Sequence, residues 1–221
     1  MLHYPYIAYS DRVNIHPLFK GLKGDPFFVD MSPDSPYFHD IDVRDQQDFQ
    51  RKLDAAMAGR HMWGVSAYME NRELLLGSTP QFSGEKRFFH LGLDVILPKG
   101  TPVHAPLAAV VAESGYEAGD GNYGGYVLLR HESAHFAPFY TLYGHLAKGN
   151  LPAAGLHIEA GAPFAQLGDF HENGYWFYHV HFQVLTQAGV DMGFTLKGDC
   201  TAAQLAQIDH WCPSPLPLFK K

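Results

Sequence analysis

Cysteine is scarce in this chain: 221 residues contain only Cys200 and Cys212. They sit twelve positions apart and in no Cys-x-x-Cys pair, which argues against a cysteine-built zinc site, and a disulfide between them would need an oxidising compartment. Two free thiols are the expectation. Positive charge is also short, with a net charge of −7 and no run of Lys or Arg. A polyanionic partner such as nucleic acid is therefore not expected, because this surface would not attract it. Nothing approaches 18 consecutive apolar residues, so no membrane span is expected. Residues 1–12 lack the charged region, apolar core and small-residue cleavage site of a secretion signal, which makes a cytoplasmic location the expectation. There is no internal repeat, no low-complexity linker and no His-Glu-x-x-His helix motif.

What remains describes a folded, turn-rich chain. Hydrophobic residues make up 46%, enough for a sizeable core in one or at most two domains. Gly 22 and Pro 15 punctuate many short alternating runs, pointing to a mainly β fold. Residues 1–41 read as an irregular arm packed on the core by its aromatics. Asp42 to Gly59 reads as a helix, with Asp42 as N-cap, Phe49, Leu53, Ala56 and Met57 at helical spacing, and Gly59 as C-terminal cap. Trp63–Tyr68 and Arg72–Leu76 read as two strands, and Thr201–His210 as a short helix. The expected division is an arm, helix and strand pair over 1–84, a β domain over 85–199 and a tail over 200–221.

Two histidines one residue apart carry the most chemical information. His179 and His181 lie among Trp176, Phe177, Tyr178, Val180, Phe182 and Val184, which favour an extended strand. Residues i and i+2 of a strand share a face, ~7 Å apart at ~3.3 Å rise per residue. Two such imidazoles can share a metal ion, or one can bind it while the other moves protons. His90, Asp94 and His145 add ligand types that zinc accepts. A straight strand would hold His90 and Asp94 ~13 Å apart, so a bend is needed, and Gly92 can supply it. Of the other histidines, His104 reads as a packed strand residue, and His131 and His135 as exposed flanks of a turn. His3, His16, His39, His61, His157 and His210 show no partner pattern.

The order His90-x-x-x-Asp94, Tyr143-Gly144-His145-Leu146, then His179-x-His181 resembles the lysostaphin-like (LytM-type) zinc metallopeptidases, which cut peptide cross-links in bacterial cell walls. Further similarity lies in Gly100-Thr101-Pro102-Val103, Gly121 to Val127, Arg130-His131 and Gly155 to Gly168, so that residues 85–186 are covered. The resemblance implies a compact antiparallel β-sheet of the barrel-sandwich hybrid type, preceded by an extension with one helix. It implies one Zn²⁺ per chain held by His90, Asp94 and His181, with His145 and His179 as catalytic neighbours. Metal-activated water would then hydrolyse an amide bond in a peptide or peptidoglycan fragment, the two free histidines serving proton transfer and oxyanion stabilisation.

This chain departs from the pattern at Gln183, where family members commonly carry Glu. It departs again at His171–Trp176, a bulky stretch expected to wall the cleft, with His171 and Glu172 in solvent. The alternatives are a non-catalytic regulator or adaptor, which usually lacks ligands kept here, and a phosphocarrier, which has no need of Asp94. A looser resemblance of Trp63–Arg72 and Asn173–Gln183 to peptidase-type segments of bacterial multidomain proteins allows a cytoplasmic amide metabolite as substrate.

Overall fold

The computed structural model describes residues 13–36, 42 and 45–221, so the first part of the N-terminal arm lies outside the described residues. Its strands are β1 (Phe27–Phe28), β2 (Gly64–Ser66), β3 (Arg87–His90), β4 (Gly92–Ile96), β5 (Pro102–His104), β6 (Ala109–Glu117), β7 (Gly124–Ser133), β8 (Phe136–Leu146), β9 (His157–Ile158), β10 (Pro163–Gln166), β11 (His179–Thr186) and β12 (Asp199–Thr201). Eight of them form one open sheet in the order β1-β2-β4-β11-β8-β7-β6-β9, and β5/β10 and β3/β12 form two small antiparallel pairs. The expected mainly β fold is present. The large sheet is mixed because β1 runs parallel to β2, and it does not close into a barrel.

Both faces of the sheet centre are covered, which is why every residue of β11 but its last is buried. Its even positions Val180, Phe182 and Val184 enter a core with Val95, Val127, Leu129 and Tyr143. Each such side chain contributes roughly 1.5–3 kcal/mol on full burial. Its odd positions run His179, His181, Gln183 and Leu185, and Leu185 joins a second cluster with Leu91, Tyr123, Leu128, Leu142, Cys200 and Cys212. Alternation along one strand thus separates an apolar face from a face that is polar at one end. Both cysteines are buried free thiols.

The N-terminal extension differs from expectation in three respects. It holds three helices among the described residues: α1 (Gln46–Met57), α2 (Glu73–Leu76) and α3 (Pro80–Ser83). Helix α1 starts at Asp45, whose side chain accepts from Asp48 N, rather than at Asp42. The segment expected to be a strand, Arg72–Leu76, is the start of α2. It has no β-branched residue, Arg, Glu and Leu are good helix formers, and Asn71 Oδ1 accepts from Glu73 N across the first turn. After β11 come α4 (Gln187–Asp191) and α5 (Ile208–Trp211), the latter preceded by a 3₁₀ turn over Ala202–Gln207. Among the described residues no helix is long and apolar enough to cross a membrane.

His131 is not exposed. It is fully buried, its Nδ1 3.1 Å from Ala108 O and its Nε2 2.7 Å from Thr141 Oγ1, because β7 continues past it to Ser133. His104 is buried in β5, as expected.

Candidate metal centre and cleft

The chain breaks between β3 and β4 at Leu91, so His90 and Asp94 arise from different sheets and meet at one point. Asp94 lies directly across from His181 in the β4–β11 ladder, and His181 is in turn opposite Gly144 of β8. Gly92 acts through space rather than through unusual backbone angles. A Cβ there would stand 2.6 Å from His181 Cε1 and 2.9 Å from Phe182 O. The absence of a side chain is what lets the His181 ring lie over the strand.

The ligand atoms form a tight triangle. His90 Nε2 is 2.9 Å from His181 Nδ1 and 3.1 Å from Asp94 Oδ1, and His181 Nδ1 is 3.2 Å from that oxygen. Each atom's hydrogen-bonding state follows from its opposite partner. His90 Nδ1 lies 3.0 Å from Ala67 O and must donate to it, which leaves Nε2 a bare lone pair. His181 Nε2 lies 2.8 Å from Gln183 Oε1 and donates there, which leaves Nδ1 bare. Two lone pairs and a carboxylate oxygen therefore converge with no proton between them. Such an arrangement repels itself unless a cation occupies the centre. Ligand atoms of tetrahedral zinc, at ~2.0–2.1 Å from the ion, stand about 3.3 Å apart, close to the observed edges.

The second Asp94 oxygen is engaged elsewhere. Arg72 Nη1 donates to Oδ2 at 2.6 Å, Nη2 to Ser66 Oγ at 2.5 Å, and Nε to Glu70 Oε2 at 3.1 Å. Burial pushes the Asp94 carboxyl upward, but the Arg72 guanidinium together with His90, His179 and His181 holds the group well below the usual carboxylate range. Asp94 thus stays ionised, with one oxygen left open to a cation. Burial, then Arg72, lowers His90 to about 3, keeping it neutral as a ligand must be.

His145 and His179 stand beside the triangle without joining it, their rings 4.2 Å apart. Each is fixed by a carbonyl: His145 Nδ1 by Asn173 O and His179 Nδ1 by Phe177 O, both at 2.8 Å. Both Nε2 atoms therefore carry lone pairs, and His179 Nε2 lies 3.6 Å from Asp94 Oδ1. Burial lowers His179 to about 4 and, with the adjacent His179, lowers His145 well below its ordinary value. His145 also has a positive φ of 65°, a conformation uncommon for non-glycine residues and one that concentrates at functional sites.

Around this centre is a cleft of about 220 Å³. Its walls are Leu75, Leu76 and Phe82 from α2 and α3, Trp176 and Phe177 before β11, Tyr123 before β7, and Leu196 to Asp199. The expected aromatic wall is present at Trp176. His171 is exposed, whereas Glu172 is half-buried and accepts from Lys148 N and Asp169 N. Arg72 and Asp199 escaped sequence reading because neither sits in a motif. Tyr123 was visible only as part of a turn.

A match to Peptidase family M23 spans residues 88–192. An uncharacterized metalloprotease of Haemophilus influenzae is 35% identical over 97 residues, covering 38% of this chain and 19% of its own length. A zinc-containing peptidase from Vibrio cholerae is 28% identical, with 44% of this chain and 27% of that one covered at a TM-score of 0.37. The catalytic domain of lysostaphin from Staphylococcus simulans is 20% identical over 61% of this chain and 81% of that one, at a TM-score of 0.41. The chain thus spans about a fifth of the length of the curated metalloprotease it matches. Over residues 88–192 the chain is thus similar to peptidase family M23.

Proposed function

We propose that the chain is a zinc-dependent hydrolase of peptide bonds, acting on short or peptidoglycan-type peptides. The observation that carries this reading is the triangle of His90 Nε2, Asp94 Oδ1 and His181 Nδ1, three bare donors with no proton among them. Zinc bound there supplies Lewis acidity and brings the pKa of a water towards neutrality. His145 and His179 are held neutral with Nε2 available, so either can accept a proton from attacking water. Once protonated, that ring can deliver the proton to a leaving amine or stabilise an oxyanion. Arg72 keeps Asp94 ionised and aimed. The apolar wall of Leu75, Phe82, Trp176 and Phe177 excludes water from the reacting carbonyl.

The test is elemental analysis of the purified protein, followed by a hydrolysis screen over wall peptides, peptidoglycan and simple oligopeptides. About one zinc per chain and chelator-sensitive cleavage are expected, as for a single three-ligand site. Full activity in protein stripped of all metal would overturn the reading.

A further inference from the structure

The metal centre leaves two buried oxygen atoms of the cleft without a hydrogen-bond partner. Asp199 is 7% exposed and Tyr123 6%, and neither Asp199 Oδ1 nor the Tyr123 hydroxyl has a hydrogen bond. Both line the same cleft, and the Asp199 carboxylate acts electrostatically on the Tyr123 hydroxyl. Asp199 also lies outside the three-residue ligand cluster. A buried carboxylate oxygen with no donor costs several kcal/mol, so it persists where something else supplies the donor.

The nearby cations have carboxylate or carbonyl partners of their own, although Arg87 Nε makes no hydrogen bond. Arg72 serves Asp94, Ser66 and Glu70. Arg87 donates to Gln81 O and pairs with Glu85, and Lys197 also faces Glu85 at 3.8 Å. Arg72 is already matched by two carboxylates, Glu70 and Asp94, so the charge of Asp199 is surplus. Asp199 belongs to β12, beyond the segment shared with family M23 and directly across from His90 in the β3–β12 ladder. A selectivity device built there belongs to this chain's own extension.

We propose that Asp199, with the Tyr123 hydroxyl in the same cleft, is a subsite for a primary ammonium group of the substrate. An ammonium has three donors, enough for both orphaned oxygens, and its charge complements the carboxylate. This rests on the peptidase reading and narrows it: the hydrolysed peptide carries a free amine within reach of the metal. That amine is supplied by a chain terminus or by a lysine-like side chain, and the two sources are separable.

The experiment compares Gly-Gly-Gly, N-acetyl-Gly-Gly-Gly and N-acetyl-Lys-Gly-Gly as substrates of the zinc-loaded wild-type protein, Asp199→Asn and Tyr123→Phe. It is paired with calorimetric binding of glycinamide against N-acetylglycinamide. At least a tenfold preference in kcat/KM for a free-amine peptide is expected, expressed mainly in KM. Preference for the first peptide identifies a terminal amine, and for the third a side-chain amine. Asp199→Asn should abolish the preference at unchanged zinc content, and Tyr123→Phe should weaken it should the first variant fail to fold. Equal cleavage of free and blocked peptides by the wild type, or a preference intact in Asp199→Asn, overturns the subsite. If no peptide is cut yet glycinamide binds selectively through Asp199, the subsite stands and the peptidase reading falls. Absence of both cleavage preference and selective amine binding sinks the subsite.

Discussion

His181 donates its Nε2–H to Gln183 Oε1 at 2.8 Å, two residues along the same strand and on the same face. The glutamine in turn donates towards Lys197 O and Cys212 Sγ. Its orientation therefore fixes which nitrogen of His181 is free for a metal. Gln183→Leu should lower zinc affinity roughly 10–100-fold, read by competition with a chromogenic chelator. Unchanged affinity would show that His181 keeps its tautomer without this partner.

Space at Gly92 is the second point of leverage. Gly92→Ala puts a methyl within 2.6 Å of the His181 ring and 2.9 Å of a backbone oxygen. The ring and strand cannot both stay in place. A loss of about 1–3 kcal/mol in stability is expected from overpacking, together with loss of bound zinc. Thermal denaturation and metal analysis report the two effects separately.

The proposed ligands and the proposed proton carriers should divide cleanly under substitution. His145→Ala or His179→Ala should reduce turnover by roughly 10²–10⁴-fold while sparing metal content. His90→Ala, Asp94→Ala or His181→Ala should remove both. Normal turnover by either of the first two proteins would remove that residue from the mechanism.

A pH dependence of stability follows from His131, away from the metal centre. Burial lowers this imidazole to about 4, against about 6.5 in an unfolded chain. The folded state prefers the neutral ring, so the contribution is complete above pH ~6.5 and is lost as pH falls towards 4. The loss is on the order of 3 kcal/mol. Denaturant titrations at pH 7 and pH 4.5 should differ by most of that, and His131→Gln should reduce the difference.

Much of the centre was legible because its donors sit in short segments whose chemistry is local. His179-Val180-His181 names a strand and a shared face without any tertiary information. The meeting of His90 with Asp94 was not derivable from a straight strand. It depends on a break at Leu91 that sends the two residues into different sheets. The bend was foreseen at Gly92, but the glycine's contribution is room for an imidazole. His131 looked exposed because the polar residues Glu132 and Ser133 follow it, yet the ladder opposite β8 buries it. Arg72 read as part of a strand, and Asp199 carried no motif that would single it out. What assigns them to the cleft is long-range pairing, of β12 with β3 and of the guanidinium with Asp94.

The pairing of Asp199 with His90 also bears on any attempt to shorten the protein. A fragment trimmed to the boundaries shared with relatives would keep every donor of the triangle. It would nevertheless discard the strand that holds one imidazole upright and the guanidinium that occupies the spare carboxylate oxygen. In this protein the outer segments act as scaffolding for the candidate metal centre, and a fragment cut from its middle should fail to hold the proposed ion.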